Sequence, residues 1–554
     1  MSTSTVAPLV SIRNLSVDIV AAGSAVPAVR NVSFDIMPGD ILGIVGESGS
    51  GKSVTCRAVL GLLPAAARLS GQILFQGKDL ATMAESEMEK IRGRDISMIF
   101  QNPSSHLDPI MKIGAQIGEP LRQHQGISAS KARAAGIRVL EDVRIAEPER
   151  RIDSYPHQLS GGMKQRAMIA AAISCGARLL LADEPTTALD VTVQARILEL
   201  LKGLKESRQL SIVLVSHDLG VIAQLCNRIM VMRRGEIVEQ GETSTIVADP
   251  QHEYTRLLIA SQPGRRQPAV RSTATHAAPI LLAVRNLVVS FPRPAGIRET
   301  LTRSDRTFRA VDEVSFEVRS GESLAIVGES GSGKSTIARS IIGLIRPSGG
   351  TLHCDGQDVT ALTGDALRRF RRSAQMIFQS PYDSLNPRLA VGEAIAEPMI
   401  QHGLMTPKAA RHRVGELMEM VELSPDLARR RPHELSGGQC QRIGIARALA
   451  LSPRLLIADE ITSALDVTIQ AQILDLLRRL RDSQRLTMIY VSHDLAVVRT
   501  FCDRVAVMKG GRIVEMGEVS DVLGQPKEAY TQELLASVPK LFGADPVPVE
   551  PQHA

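Results

Sequence analysis

The chain has 554 residues, of which 44% are hydrophobic and 22% charged, and its formal net charge at pH 7 is +6. A chain of this length is too long to fold around a single hydrophobic core, so several domains are expected. The small net charge gives no indication of a nucleic-acid-binding protein. No apolar run approaches the roughly 18 to 20 residues that span a bilayer, and the six cysteines form no CxxC pair, so they are interpreted as packing thiols in a reducing compartment.

The first chemical signal is a glycine-rich loop after a short apolar run. Ile41–Val45 is predicted to be a strand, and GESGSGKS at Gly46–Ser53 leads from it into a helix. The glycines let the backbone curl so that several N–H groups point at phosphate oxygens, and the helix adds its positive end. Lys52 supplies a charge to the β- and γ-phosphates, and the Ser53 hydroxyl is placed to ligate Mg²⁺. The predicted nucleotide-binding residues of this loop are Gly46, Ser48, Gly49, Gly51, Lys52 and Ser53.

An acidic pair closes another apolar run further along the chain. The run 178–183 has the composition of a buried parallel strand and ends at Asp183. The carboxyl ends of such strands meet at one edge of the sheet, so Asp183 is expected beside the phosphate loop, where it can hold Mg²⁺ through water. Glu184 follows immediately, and we expect it to orient the attacking water or to accept its proton.

Both motifs return in the second half of the chain. The eight letters of the glycine-rich loop recur at 328–335, and the acidic pair recurs as Asp459 and Glu460. Repetition of this kind indicates two homologous α/β domains. The predicted nucleotide-binding residues of the second loop are Gly328, Ser330, Gly331, Gly333, Lys334 and Ser335.

The repeat also sets the predicted domain organisation. We expect one domain over 8–262 and the other over 281–540. Between them, 263–280 mixes Pro, Ala, Ser, Thr and Arg without apolar periodicity, which is typical of a short flexible linker. The last stretch, 541–554, is expected to be a loose tail.

The ordered set of motifs resembles that of the ATP-binding cassette (ABC) ATPases. Each half carries GxxxxGK[ST], a glutamine after an apolar strand, LSGG followed by QR, the Asp-Glu pair, ALD, and a histidine in SHD. The resemblance covers nearly the whole chain. It implies an α/β fold class with two tandem P-loop NTPase domains, each with a RecA-like core, an antiparallel β subdomain and a helical subdomain, and with ATP and Mg²⁺ as ligands.

The resemblance also implies that the halves pair head to tail, so that the LSGG signature of one half covers the ATP held by the other. Ser160 looks like a helix N-cap, and two glycines after it leave backbone amides open. We name each composite site after the half that supplies its phosphate loop. Site 1 would combine Lys52, Ser53, Gln101, Asp183, Glu184 and His217 with Ser436, Gly437 and Gly438. Site 2 would combine Lys334, Ser335, Gln379, Asp459, Glu460 and His493 with Ser160, Gly161 and Gly162.

Roles for two further residue pairs come from the resemblance alone. His217 and His493 resemble the switch histidines that contact the γ-phosphate, and with the two glutamates they complete the expected catalytic set. Gln101 and Gln379 resemble the loop glutamines that sense Mg²⁺ and the attacking water beside a membrane partner.

Additional motifs resemble those of the peptide- and nickel-type importers, among them FQxPxxxLxP at 100–109 and 378–387, and HEYTRLLIAS at 252–261. This implies an ATP-binding subunit, peripheral at the cytoplasmic face of the inner membrane. Its implied partners are two transmembrane permeases and, indirectly, an extracytoplasmic solute-binding protein, with no nucleic acid. The cargo stays open: glutathione, short peptides, nickel chelates, opines and peptide-like antibiotics all fit.

A tandem cassette translation factor acting on ribosomes is the alternative from another class. That branch usually carries a long charged helical linker and usually lacks the SHD histidine. This chain has a short linker with Pro and Ala, and both histidines are present. These two features favour the importer.

The two halves differ at a position that the importers often use to bind adenine. Phe291 is placed to stack on adenine at site 2, whereas the matching residue of the first half is Ile19. We therefore expect weaker stacking at site 1, by about 1 kcal/mol. Ile461, in place of a proline, and Cys440, in the signature helix, remove no phosphate, metal or water-positioning group. Both sites are expected to hydrolyse ATP.

Overall fold

The structure is a computed structural model that describes residues 7–21, 24–187, 189–262, 278–292, 307–463 and 465–539. Most of the predicted linker and all of the predicted tail lie outside the described residues, and the predicted domain boundaries stay predictions. All six cysteines are described, and none forms a disulfide.

The first half folds into two sheets and a set of helices. Its strands are β1 (Val10–Ala21), β2 (Ser24–Ile36), β3 (Ile41–Val45), β4 (Ala67–Phe75), β5 (Lys78–Asp79), β6 (Ile96–Ile99), β7 (Leu179–Asp183), β8 (Ser211–Ser216), β9 (Arg228–Arg233) and β10 (Glu236–Glu242). Its helices are α1 (Lys52–Val59), α2 (Glu85–Ile91), α3 (Pro103–His106), α4 (Ile113–Gln125), α5 (Ala129–Asp142), α6 (Pro148–Arg151), α7 (Gly161–Ile173), α8 (Val191–Arg208), α9 (Leu219–Leu225), α10 (Thr243–Ala248) and α11 (Glu253–Ala260).

The second half repeats the ten strands and nine of the eleven helices, and among its described residues α3 and α6 have no α-helical counterpart. Its strands are β11 (Ile280–Pro292), β12 (Thr307–Arg319), β13 (Ser323–Gly328), β14 (Gly349–Cys354), β15 (Gln357–Asp358), β16 (Ala374–Ile377), β17 (Leu455–Asp459), β18 (Thr487–Ser492), β19 (Arg504–Lys509) and β20 (Arg512–Glu518). Its helices are α12 (Lys334–Ile341), α13 (Gly364–Ser373), α14 (Val391–Gln401), α15 (Pro407–Met420), α16 (Gly437–Leu449), α17 (Val467–Gln484), α18 (Leu495–Phe501), α19 (Val519–Gly524) and α20 (Ala529–Ala536).

The sheet topology is the same in both halves. The smaller sheet is antiparallel, in the order β2-β1-β4-β5 and β12-β11-β14-β15. The larger sheet has six strands, in the order β10-β9-β3-β8-β7-β6 and β16-β17-β18-β13-β19-β20. Its pairings are parallel except at β10 and β20, which run against their neighbours. The predicted α/β fold class, with an antiparallel β subdomain, is confirmed.

The central strands of the larger sheet carry the functional motifs at one edge. Every residue of β3, β7 and β8 is buried, as expected for apolar strands covered on both faces. Because these strands are parallel, their carboxyl ends meet. The phosphate loop after β3, the Asp-Glu pair after β7 and His217 after β8 therefore lie side by side, and the register pairs Val45 with Ser216 and Asp183 with Val215.

Each half also has a layer of helices that carries its signature motif. Helices α4, α5 and α7 share an apolar core that includes Ile117, Leu140 and Ile169, and α14, α15 and α16 form the counterpart. Ser160 caps α7 and Ser436 caps α16, so each signature motif begins a helix. Among the described residues, no helix is both long and apolar enough to cross a membrane.

Candidate active site

The phosphate loop of site 1 is held in a tight curl by its own lysine. Nζ of Lys52 donates to the carbonyl oxygens of Gly46 and Glu47, both at 2.7 Å. Gly51 has a φ of 100°, and a Cβ there would lie 2.5 Å from the carbonyl oxygen of Ala28, so this position needs glycine. In this curled conformation the backbone N–H groups of the loop are available to bind an anion.

Site 2 repeats this arrangement. Nζ of Lys334 donates to the carbonyl oxygens of Gly328 and Glu329 at 2.8 Å. Burial lowers the pKa of this lysine, and the carboxylate of Glu460 opposes the shift. A buried ammonium of this kind gains from an incoming phosphate.

A hydroxyl and a carboxylate lie together beside each loop. Ser53 Oγ donates to Asp183 Oδ1 at 2.7 Å, and Ser335 Oγ donates to Asp459 Oδ1 at 2.9 Å. Burial raises the pKa of both aspartates, although the serine hydrogen bonds oppose that shift. A buried carboxylate without a cationic partner in contact favours a bound cation.

The donor set at these positions fits Mg²⁺ rather than a metal held by protein alone. Among the described residues, no cluster of three or more His, Cys, Asp or Glu could hold a metal ion. Mg²⁺ commonly takes one or two protein oxygens and completes its shell with water and substrate phosphates. One hydroxyl and one carboxylate next to a phosphate loop are such a set.

The side chain of Glu184 is held by three residues of its own half. Oε2 accepts hydrogen bonds from Gln101 Nε2 at 2.7 Å and from Thr187 Oγ1 at 2.8 Å. On the other carboxylate oxygen, Oε1 lies 3.3 Å from His217 Nδ1. The backbone of Glu184 has a φ of 48°, in the left-handed region that non-glycine residues seldom adopt. The predicted glutamate, loop glutamine and switch histidine are thus brought together.

Glu460 occupies the equivalent place in the second half, with one difference. Its carboxylate accepts from Gln379 Nε2 at 2.8 Å and lies 3.5 Å from His493 Nδ1, and its φ is 50°. Ser463 stands where the first half has Thr187, and its hydroxyl donates to the main-chain oxygen of Glu460 instead. Thr187 and Ser463 were not among the predicted site residues.

Each glutamate and histidine pair lies in a largely buried pocket and forms an ion pair when the imidazole is protonated. Burial alone would raise the pKa of Glu184, but the hydrogen bond and charge of His217, with the Thr187 hydroxyl, lower it to about 2. Burial alone would lower the pKa of His217, but the hydrogen bond and charge of Glu184 raise it. The imidazolium therefore persists to higher pH than in an ordinary histidine.

Each phosphate loop is also contacted by the opposite half. The backbone N–H of Ser48 donates to Asp466 Oδ1 at 2.9 Å, and that of Ser330 donates to Asp190 Oδ2 at 3.5 Å. Both aspartates belong to the ALD motif, which was noted as a motif but not predicted as part of the site. Each ALD loop thus lies against the phosphate loop of the other half.

The signature residues make their hydrogen bonds within their own half. Ser160 Oγ accepts from Met163 N at 3.4 Å, and Ser436 Oγ accepts from Gln439 N at 3.3 Å. In the second half Gln439 Oε1 also accepts from Ser436 N at 3.0 Å, which completes a capping box that a methionine cannot form. Bridging from either signature to the opposite phosphate loop stays a prediction.

Two phenylalanines lie at site 2 where the first half has aliphatic residues. Phe291 and Phe308 face each other across β11 and β12, and they line a cavity of about 390 Å³ with Lys334 and Ser335. Their counterparts Ile19 and Val26 face each other across β1 and β2. Phe308 was missed by sequence reasoning because its place beside Phe291 depends on strand register.

Comparisons with known proteins find one family whose model matches both halves of the chain. A family model described as ABC transporter matches residues 29–187 and 311–463. The chain belongs to the ABC transporter family. Like other ATP-binding subunits of that family, it binds and hydrolyses ATP. A second family model, described as oligopeptide/dipeptide transporter, C-terminal region, matches residues 238–283 and 514–551.

Curated relatives match this ABC protein over nearly its whole length. "Glutathione import ATP-binding protein GsiA" of Pectobacterium atrosepticum is 45% identical over 96% of this chain and 89% of its own. "Peptidoglycan transport ATP-binding protein YejF" of Agrobacterium fabrum is 45% identical over 96% of both chains. Among solved structures, cbiO1 from Clostridium perfringens, part of an ABC transporter complex, is 28% identical over 44% of this chain and 91% of its own, with a TM-score of 0.39.

The C-terminal region of each ABC half contributes a tyrosine to its phosphate loop. The Tyr254 hydroxyl accepts from Glu47 N at 3.0 Å, and the Tyr530 hydroxyl accepts from Glu329 N at 3.1 Å. Burial raises the pKa of both tyrosines to about 12. Sequence reasoning missed them, although the repeated YT of HEYTRLL and EAYTQEL was a usable signal.

The ion pair yields a first prediction. Glu184→Gln should lower the pKa of His217 in the nucleotide-free protein, because the carboxylate that raises it is lost while burial remains. Titration of the imidazole signals by NMR of histidine-labelled protein measures this. Glu460→Gln is the matched control and should move His493 instead. An unchanged His217 titration in Glu184→Gln would contradict the assignment.

The tyrosine contact yields a second prediction. Tyr254→Phe leaves the N–H of Glu47 without its acceptor, which should weaken ATP binding at site 1 by about 1 kcal/mol, or about fivefold. Binding is measured by calorimetry with Lys334→Ala present, so that only site 1 is intact. Tyr530→Phe on the same background should leave site 1 unchanged, and equal losses from both variants would argue against a local effect.

The pair of Phe291 and Phe308 yields a third prediction. ATP should bind site 2, isolated by Lys52→Ala, about fivefold more tightly than site 1, isolated by Lys334→Ala, as expected for about 1 kcal/mol of aromatic stacking. Tripolyphosphate, which has no base, should show no such preference. Equal ATP affinities would rule out the stacking difference.

Proposed function

We propose that this chain energises the import of peptides or peptide-like solutes by hydrolysing ATP in two composite sites formed head to tail between its halves. The observation that carries the proposal is the reciprocal contact of each ALD aspartate with the opposite phosphate loop, at 2.9 Å for Asp466 on Ser48. Such a contact requires the halves to face each other across the nucleotide positions.

In this proposal ATP is held from both sides. At site 1 the loop amides and Lys52 bind the β- and γ-phosphates. The Ser436 hydroxyl and the amides of Gly437 and Gly438, at the start of α16, cover the γ-phosphate from the second half. Charge-assisted hydrogen bonds on two faces of one anion hold the halves closed. Site 2 uses Lys334 with the start of α7 in the same way.

The residues that would hold Mg²⁺ are Ser53, Gln101 and Asp183 at site 1 and Ser335, Gln379 and Asp459 at site 2. When bound, the ion neutralises part of the phosphate charge. The protein's own contribution is to orient water and to hold the γ-phosphate.

Glu184 is a weak base while His217 is its partner, because that pair keeps its pKa near 2. If the imidazole turns to the γ-phosphate, the carboxylate loses the partner that lowers its pKa, and burial then raises it. The glutamate becomes a better acceptor for the proton of the attacking water at the moment when ATP is in place. Glu460 and His493 would act in the same way.

Loss of the γ-phosphate removes contacts to both halves, which can then separate. The loops that carry Gln101 and Gln379 would pass this motion to two transmembrane permeases. The chain would lie at the cytoplasmic face of the inner membrane, receive solute indirectly from an extracytoplasmic binding protein, and need no nucleic acid. Relatives with 44–45% identity bear transport names, which favours this function over the ribosome-acting alternative.

The cargo is proposed at the level of a class, because selection lies in other subunits. The relatives named for glutathione and for peptidoglycan transport point to γ-glutamyl or other short peptides. The test is reconstitution of the chain with the permeases encoded beside it in liposomes, with the cognate binding protein. Glutathione or short peptides should stimulate ATP hydrolysis, whereas stimulation only by ribosomes would overturn the proposal.

The water-orienting role gives a further prediction. Glu184→Gln should reduce hydrolysis at site 1 by roughly a hundredfold, as expected for loss of a general base, and Glu460→Gln should do the same at site 2. Single-turnover ATPase rates on the isolated-site backgrounds measure each loss. Glu206→Gln, on the exposed face of α8, is the control. Normal hydrolysis in either active-site variant would refute the assignment.

A further inference from the structure

The glutamine loop of the second half, residues 378–389, is tied to the helix that begins with its signature. The hydroxyl of Tyr382 donates to the carbonyl oxygen of Leu435 at 3.0 Å. Leu435 immediately precedes Ser436, the N-cap of α16. Tyr382 therefore fixes the chain at the point where the signature helix begins.

A second tie lies towards the other end of the same helix. Nη1 of Arg447 donates to the carbonyl oxygen of Ser384, in the same loop. The loop itself begins beside Gln379, whose amide binds the Glu460 carboxylate at 2.8 Å. One short segment thus connects the catalytic glutamate of site 2 with the signature helix.

Cys440, in the signature helix, lies beside the tyrosine. Its side chain is fully buried, its Sγ lies 3.4 Å from the carbonyl oxygen of Pro432, and it interacts with the Tyr382 side chain. Lys164 occupies the same place in the first half. In each half the residue at this position contacts the residue at the position of the tyrosine, Cys440 with Tyr382 and Lys164 with Ser104, so the two substitutions belong together.

In the first half the side-chain hydrogen bond between the same two elements is weaker. Lys164 Nζ donates to Ser104 Oγ at 3.4 Å on the exposed surface, and an alanine, Ala171, stands where the second half has Arg447. Instead, the first glutamine loop stacks on itself, with the rings of Phe100 and His106 4.1 Å apart. An exposed lysine loses side-chain entropy when it forms such a hydrogen bond. The Lys164–Ser104 hydrogen bond therefore stabilises the contact between loop and helix less than the bonds of the second half do.

We propose that Tyr382 is a positioning residue that acts across the halves: by holding the start of α16 it sets the signature amides that bind ATP at site 1. The inference rests on the composite sites proposed above. Tyr382 belongs to the second half and lies next to the glutamine of site 2, but in this inference it affects the nucleotide bound by the phosphate loop of the first half. The corresponding link from the first half to site 2 is weak, so the coupling is directional.

The test measures each site separately with a non-hydrolysable ATP analogue and Mg²⁺. Tyr382→Phe removes only the hydroxyl, and it should weaken binding at site 1, isolated by Lys334→Ala, on the order of threefold, as for one lost hydrogen bond. Binding at site 2, isolated by Lys52→Ala, should be unchanged. Tyr382→Ser, which introduces the first-half residue, should give a larger loss with the same pattern.

The matched control is Ser104→Ala, which should leave both sites unchanged. A merely structural role for Tyr382 would weaken site 2, whose phosphate loop belongs to the same half, and that result would overturn the inference, as would no loss at either site.

Ser436→Arg separates the inference from the function on which it rests. It should abolish binding at site 1 and spare site 2. If it impairs site 2 instead, the composite sites are wrong and the inference falls with them. If it impairs site 1 while Tyr382→Phe does not, only the positioning role is wrong.

Discussion

The preference of a curled phosphate loop for an anion organises both sites and the contact between the halves. Backbone N–H groups that point into such a loop favour negative charge. In this structure Ser48 N binds the carboxylate of Asp466, which reaches it from a residue 418 positions away. The same loop property that binds phosphate therefore also draws in the opposite half. Its counterpart, Ser330 N to Asp190 at 3.5 Å, is longer, so the two interfaces are related but not identical.

In the proposed arrangement each site takes its parts from both halves, and the two sites therefore differ. Site 1 has aliphatic residues, Ile19 and Val26, at the position of the base, but it would be covered by the signature with the complete cap at Gln439. Site 2 has the phenylalanine pair, but it would be covered by a signature in which Met163 leaves the cap half formed. In this arrangement site 2 would bind the base more strongly under a less fully capped signature helix, and site 1 would bind it more weakly under a fully capped one. Two nearly identical phosphate loops can in this way have distinct nucleotide cycles.

Much of the fold, and the residues that the fold gathers at each candidate site, could be predicted from sequence, because these features depend on short segments. The loop at Gly46–Ser53 and the pair at Asp183 and Glu184 are read from adjacent residues, and parallel strands bring them to one edge. What was missed depends on contacts between distant segments. Tyr254 meets a loop 207 residues away, and Asp466 acts on the other half. Neither composition nor periodicity of the local segment contains those contacts.

The resting ion pair explains how the same residues can be both poised and inactive. Glu184 has a left-handed backbone conformation, with φ at 48°, and its carboxylate lies in the pocket. The rest of the fold must offset the strain of this conformation. With His217 as partner, the carboxylate is ionised but weakly basic. In the proposed mechanism the γ-phosphate competes for the imidazolium, because the phosphate loop would hold it there. Glu460 repeats the same φ and the same partner, so in that mechanism each half would have its own safeguard against hydrolysis before ATP is fully enclosed.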